Sequence, residues 1–147
     1  MTHPPYLDVT QDAGRAFFLR GITGPVVMLN LLRLRDEADY NATPELAPAN
    51  PISGRDAFDR YISHTLPFLT ASGGKILFLG DGAQWLIGPS HECWDVAMLI
   101  EQASVESFMA WNSNSAYLAG LGHRTAAITD SQLLPLTSSS TINGTEF

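Results

Sequence analysis

The stretch GPVVMLNLLRLR, Gly24 to Arg35, decides how the rest of the chain is read. A strand with one face in water alternates apolar and polar residues. Here Val26, Val27, Met28, Leu29, Leu31 and Leu32 leave almost no alternation, so both faces of this strand are expected to be covered. Asn30 is the one polar interruption among them. A buried amide needs partners for two donors and an acceptor. Asn30 is therefore read in two ways: as a group that orients a ligand carbonyl or stabilises an oxyanion, or as a structural bond to a loop or across a dimer.

Outward from this strand the pattern is regular. TQDAGRAFFLRG, 10–21, predicts a helix capped by Thr10 and ended by Gly21. DEADYNATPELAPANPISG, 36–54, carries Pro44, Pro48 and Pro51 and reads as a long linker, functional or an interface arm. SGRDAFDRYISHTLPFLTASGG, 53–74, is an amphipathic helix with Ser53 and Asp56 as an acidic capping pair, and Pro67 should bend it or end its regular part. KILFLGDGAQWLIG, 75–88, reads as two strand pieces around GDGA, and ECWDVAMLIEQA, 92–103, as the next strand. Ser104 and Asn114 cap two successive helical pieces, and SQLLPL closes as a short strand whose Pro135 suits an edge.

After the first helix the order is strand, helix, strand, strand, helix, strand. This is a ferredoxin-like βαββαβ arrangement, α+β, with a four-stranded antiparallel sheet and helices on one face. The strands do not alternate and no further element is left to cover the second face, so a second copy of the sheet is the expected cover. The chain is read as one domain over 1–136, with a helix at about 10–20, and a flexible tail over 137–147.

Composition narrows the function. The chain has 147 residues, 45% of them apolar and 16% charged, with a net charge of −7. Phosphate binding requires a basic footprint, so nucleic acid is not an expected partner, and an anionic membrane surface is not either. The lone Cys93 excludes an intrachain disulfide. The start MTHPPYLDVTQD shows no secretion signal and no apolar run approaches a membrane span, which predicts a cytoplasmic protein. The sequon NGT in the tail matters only in a secretory compartment.

The motifs GPVVMLNLLRLR, PISGRDAFDRYISHTLPFL, GGKILFLG, LIGP, ECWDVAMLI and YLAGLGHRTAAITDSQLLPL together resemble the bacterial domain-of-unknown-function 1330 family, within the dimeric α/β-barrel superfamily. The resemblance spans roughly Pro25 to Leu136. It implies ferredoxin-like protomers whose sheets pair across a two-fold axis into a barrel. It implies no activity, and fold alone does not settle function. In the wider superfamily ligands often sit between sheet and helices, and some branches bind haem, but no proximal-histidine motif of those branches is visible here.

Several residues are candidates for chemistry. His64 is the first candidate acid or base, one helical turn after Arg60, although a histidine there can also simply favour the helix dipole. His123 is the second. Its neighbour Arg124 is expected to pair with Asp130 and, with Ser131, to tie a helix end to the last strand. Tyr61, Trp111, Tyr117 and Trp94 are expected to line a pocket between sheet and helices, though such aromatics also build cores. Asp95 is read either as a pocket base or as a carboxylate paired with an arginine such as Arg33. HEC, 91–93, has no partner motif for a metal, and GDG lacks the context of a phosphate loop. The expectation is a homodimer, without haem, flavin or metal, acting on a small partly apolar carbonyl or phenolic compound by acid–base chemistry. A non-catalytic binder or structural dimer module is the alternative.

Overall fold

A computed structural model describes residues 4–138, 141–142 and 145–146. Helix α1 (Gln11–Leu19) begins where the Thr10 side chain accepts from the Ala13 N–H, and the chain leaves it at Gly21, whose φ of 63° suits glycine. Strand β1 (Val26–Leu34) follows, then the ordered proline-rich linker with a 3₁₀ turn at Pro44–Leu46. Helix α2 (Gly54–Ala71) starts at Ser53, whose hydroxyl accepts from the Asp56 N–H at 3.0 Å. Strands β2 (Lys75–Asp81) and β3 (Val96–Gln102) lead to the short helices α3 (Val105–Met109), α4 (Ser115–Leu118) and α5 (Leu121–Ala127). Ser104 and Asn114 cap α3 and α4 as expected. Strand β4 (Ile128–Leu136) completes the sheet.

The sheet order is β2-β3-β1-β4, all pairs antiparallel, which is the ferredoxin-like topology. Residues directly opposite one another in a ladder share a face. Met28, Asn30 and Leu32 of β1, with Val96 and Met98 of β3, form the helix-covered row and are buried. Leu29, Leu31 and Leu99 form the other row, joined by Phe78 opposite Leu99 and Leu134 opposite Leu29. Phe78 and Leu134 are 55% and 56% exposed, so in the single chain this second face is open.

The core has two parts. Leu32, Ala57, Phe58, Val96, Met98, Ala126 and Ile128 pack between the sheet, α2 and α5. Phe17 of α1 packs with Val26, Met28 and Val105 at the far end of β1, edge-on to Phe108 at 6.0 Å. Each fully buried aliphatic chain of this kind stabilises the fold by about 1.5–3 kcal/mol.

Four expectations are corrected. Pro67 lies inside α2, which runs on to Ala71. Proline removes the donor that would reach Ser63, and both residues are exposed, so water can serve that carbonyl. The strand after GDGA does not form: 82–95 is a loop held by Gly82 N–H to Asp95 O, Trp94 N–H to Ala83 O and a bridge between Gln84 and Cys93. The last strand starts earlier than SQLLPL, at Ile128, so Asp130 and Ser131 are strand residues rather than a helix end. In the tail, Thr141–Ile142 pairs antiparallel with Thr145–Glu146, where no regular structure was expected, and the sequon's Asn143 lies outside the described residues.

Two irregularities mark the sheet's borders. β2 carries a bulge between Ile76 and Phe78. β4, the opposite border, contains Pro135, which has no N–H to offer a further strand.

Candidate functional site

The residues singled out from the sequence fall into three places. Asn30 is buried under the helices, and its amide nitrogen donates to the Met28 carbonyl of its own strand at 3.2 Å. No hydrogen bond joins it to either histidine among the described residues.

Trp94 and Asp95 stand at the other end of β1, just before β3. The Arg33 guanidinium lies 3.8 Å over the Trp94 ring, donates to the Cys93 carbonyl at 2.9 Å and pairs with Asp130 at 2.7 Å. Asp95 accepts from the Leu34 N–H at 2.7 Å. The expected Arg124–Asp130 pair is therefore replaced by Arg33–Asp130, because β4 sets Asp130 directly opposite Arg33. Arg124 donates instead to the Leu7 carbonyl at 2.8 Å and to the Ser131 hydroxyl at 3.4 Å. Asp130 also accepts from the Tyr6 N–H, and Ser131 donates to the Tyr6 carbonyl. The Arg-Asp-Ser combination thus straps the segment ahead of α1 across the sheet.

The third place brings the two histidines together. His64, on α2, packs against Gly120, where any Cβ would run into the imidazole. Its Nε2 lies 2.9 Å from the Ala116 carbonyl and 3.2 Å from that of Tyr117. Carbonyls only accept, so His64 carries a proton on Nε2 and closes the end of α4. One turn beyond Gly120, His123 Nδ1 lies 2.7 Å from the hydroxyl of Tyr40, in the linker. Burial raises the Tyr40 pKa, against the pull of Arg60, so its phenol stays protonated and donates to Nδ1. His123 then holds its own proton on Nε2, which no described residue bonds. Burial, followed by the nearby charges of Arg60 and His64, lowers the His123 pKa and keeps the ring neutral. Arg60 forms no ion pair among the described residues.

The aromatic residues expected to line a pocket fill that space instead. Tyr61 and Tyr117 are buried with their hydroxyls 2.9 Å apart, and the Trp111 ring lies tilted against Tyr117 with the centroids 4.5 Å apart. Burial, with Tyr61 alongside, pushes the Tyr117 phenol far above its ordinary range. This cluster supports the histidines from beneath, since Tyr117 lends its carbonyl to His64. A cavity of about 240 Å³, lined in part by Tyr40, opens between Ala38 and Ile52 of the linker.

Sequence reading missed Tyr40 and gave Arg60 no role beyond sharing a helix side with His64. Tyr40 is separated from His123 by 83 positions in a linker without periodicity, so no local signal connected them. Among the described residues no three His, Cys, Asp or Glu side chains are grouped to hold a metal, and no helix is long and apolar enough to cross a membrane.

The chain has a solved relative. The crystal structure of methylated RPA0582 is 30% identical over 97% of this chain and 99% of that one, with a TM-score of 0.81. The chain belongs to the RPA0582 family. A second structure of RPA0582, a protein of unknown function from Rhodopseudomonas palustris, is 31% identical over 93% of this chain and 99% of that one, with a TM-score of 0.79. No protein-family model matches the chain, and none of the curated proteins is similar enough to match it.

Proposed function

We propose that this RPA0582-family protein is a cofactor-independent acid–base enzyme for a small, partly apolar compound bearing a carbonyl or phenolic oxygen. The observation that carries the proposal is the 2.7 Å bond between Tyr40 and His123, which fixes the imidazole with Nε2–H as its remaining donor. A neutral imidazole can give that hydrogen bond, or that proton, to an oxygen gaining negative charge. Arg60, unpaired beside it, offsets the charge that develops. This arrangement favours His123 over His64, which is committed to the α4 carbonyls. The proposal includes placement in the domain-of-unknown-function 1330 family and a homodimer built through the open sheet faces. An open row of Leu29, Leu31, Leu99, Phe78 and Leu134 supports the latter, since monomers avoid apolar patches of that kind.

The filled space around Tyr61 and Tyr117 favours a second reading, a non-catalytic binder that uses the same donors. A thermal-shift screen of small carbonyl and phenolic compounds, followed by turnover assays on any stabilising hit, separates the two. Under the first reading His123→Ala lowers turnover by roughly 10²–10⁴-fold while the hit still binds. A hit that binds wild type and is never turned over leaves the binder. A hit whose binding and turnover are untouched by Tyr40→Phe and His123→Ala refutes both.

A further inference from the structure

The loop 82–95 ends in an apolar tip with no use inside its own chain. Leu86 is 99% exposed and Ile87 92% exposed, beside Trp85 at 40%. The tip is held out rather than loose. Its stem is braced by the Gly82–Asp95 and Trp94–Ala83 bonds, and Gly88 lies so close that a Cβ would come within 2.6 Å of the Trp85 ring.

The cavity beside Tyr40 is the complementary shape. Ala38, Pro48, Pro51 and Ile52 line it together with Tyr40 and the polar Glu37 and Asn50, and its volume of about 240 Å³ has room for two aliphatic side chains. Both features sit at the same end of the sheet, because Leu32 and Asp81, where β1 and β2 finish, both face Val96.

Interface size argues for bringing the two together. Four strands about 4.8 Å apart and about seven residues long at about 3.3 Å each present roughly 440 Å² of flat face. A stable interface needs about 800 Å² from each partner. Leu86 and Ile87 bring about 100 Å² of apolar surface each, which narrows that gap.

We propose that the Trp85–Ile87 tip of one copy seats in the Ala38–Ile52 cavity of a second copy, reciprocally across the two-fold axis. The partner's tip then packs against Tyr40, the residue that fixes His123, so each site is braced by the other subunit. The inference rests on the face-to-face dimer proposed above.

Mixed-chain crosslinking tests it. In a Cys93→Ser background, one chain carries Ile87→Cys and the other Ala47→Cys, Ala49→Cys or Asn50→Cys in turn. The variants are mixed, allowed to exchange and mildly oxidised. The expected result is a disulfide-linked species with at least one cavity position, formed only in the mixture. Leu86→Ser with Ile87→Ser should also weaken dimerisation about a hundredfold in sedimentation. A wild-type dimer that gives no mixed crosslink at any of the three positions overturns the tip-in-cavity contact and leaves the dimer standing. Crosslinking of Ile87→Cys to itself overturns it as well. A wild-type monomer at micromolar concentration overturns both.

Discussion

The two faces of one sheet are built from alternate residues of the same strands, yet they end in different states. On the helix side Leu32 is buried to 1% exposure among Phe58, Val96 and Ile128. On the other side Leu31 and Leu99 are half-buried and Phe78 is 55% exposed, although they are as apolar in character. The difference teaches that apolar sequence does not by itself say how far a face is buried within one chain. The helix face is finished by folding, and the open face is the one through which we propose that the dimer forms.

The sharpest way to break this contrast is to truncate neighbours on opposite faces. Leu32→Ala should cost about 3–4 kcal/mol in urea unfolding, because the cavity left by a buried leucine collapses poorly. Leu31→Ala should cost less than about 1 kcal/mol of chain stability at dilution and act mainly on association. Equal costs for the two would erase the distinction between the faces.

The next test stays on the helix side, where α2 meets α5. Gly120→Ala drives a Cβ into the His64 imidazole. It should destabilise by about 1–3 kcal/mol, as overpacking does, with chemical denaturation as the readout. A neutral outcome would mean that His64 moves freely and does not clamp α4.

A pH scan sharpens the histidine side of the comparison. The folded state lowers the His123 pKa below its ordinary 6.5. As pH falls through that value the unfolded chain takes up a proton that the folded chain refuses, so stability drops with decreasing pH until the folded pKa is passed. Above 6.5 this contribution is fully present. Wild type should lose stability over that acidic window, and His123→Gln should lose less; parallel profiles for both would contradict the assignment. The smallest effect belongs to Ser53→Ala, which should cost about 1 kcal/mol in melting experiments by freeing the Asp56 N–H.

Local signals were readable in the chain because their causes are local. Thr10, Ser53, Ser104 and Asn114 each cap a helix from three residues away, and the order of strands and helices led to the ferredoxin-like sheet now seen. Partner choice was not readable, because periodicity says which side a residue occupies and not what stands opposite. Asp130 was matched with Arg124, six positions away, yet β4 delivers it to Arg33 across the ladder. Tyr40 could not be connected to His123 for the same reason. The aromatic trio Tyr61, Trp111 and Tyr117 carries the same composition whether it lines a cavity or fills one, and only the packing separates those outcomes.

The borders of the sheet carry a further consequence. A straight strand at an edge offers an unbroken row of donors and acceptors that any passing strand can copy, the route to fibrous growth. Here the β2 edge, with Leu77, Phe78 and Leu79 exposed in sequence, would be hazardous if it were straight. The bulge at Ile76–Phe78 breaks its register, and Pro135 removes a donor from the β4 edge. Both features oppose the side-by-side pairing of copies into a longer ribbon.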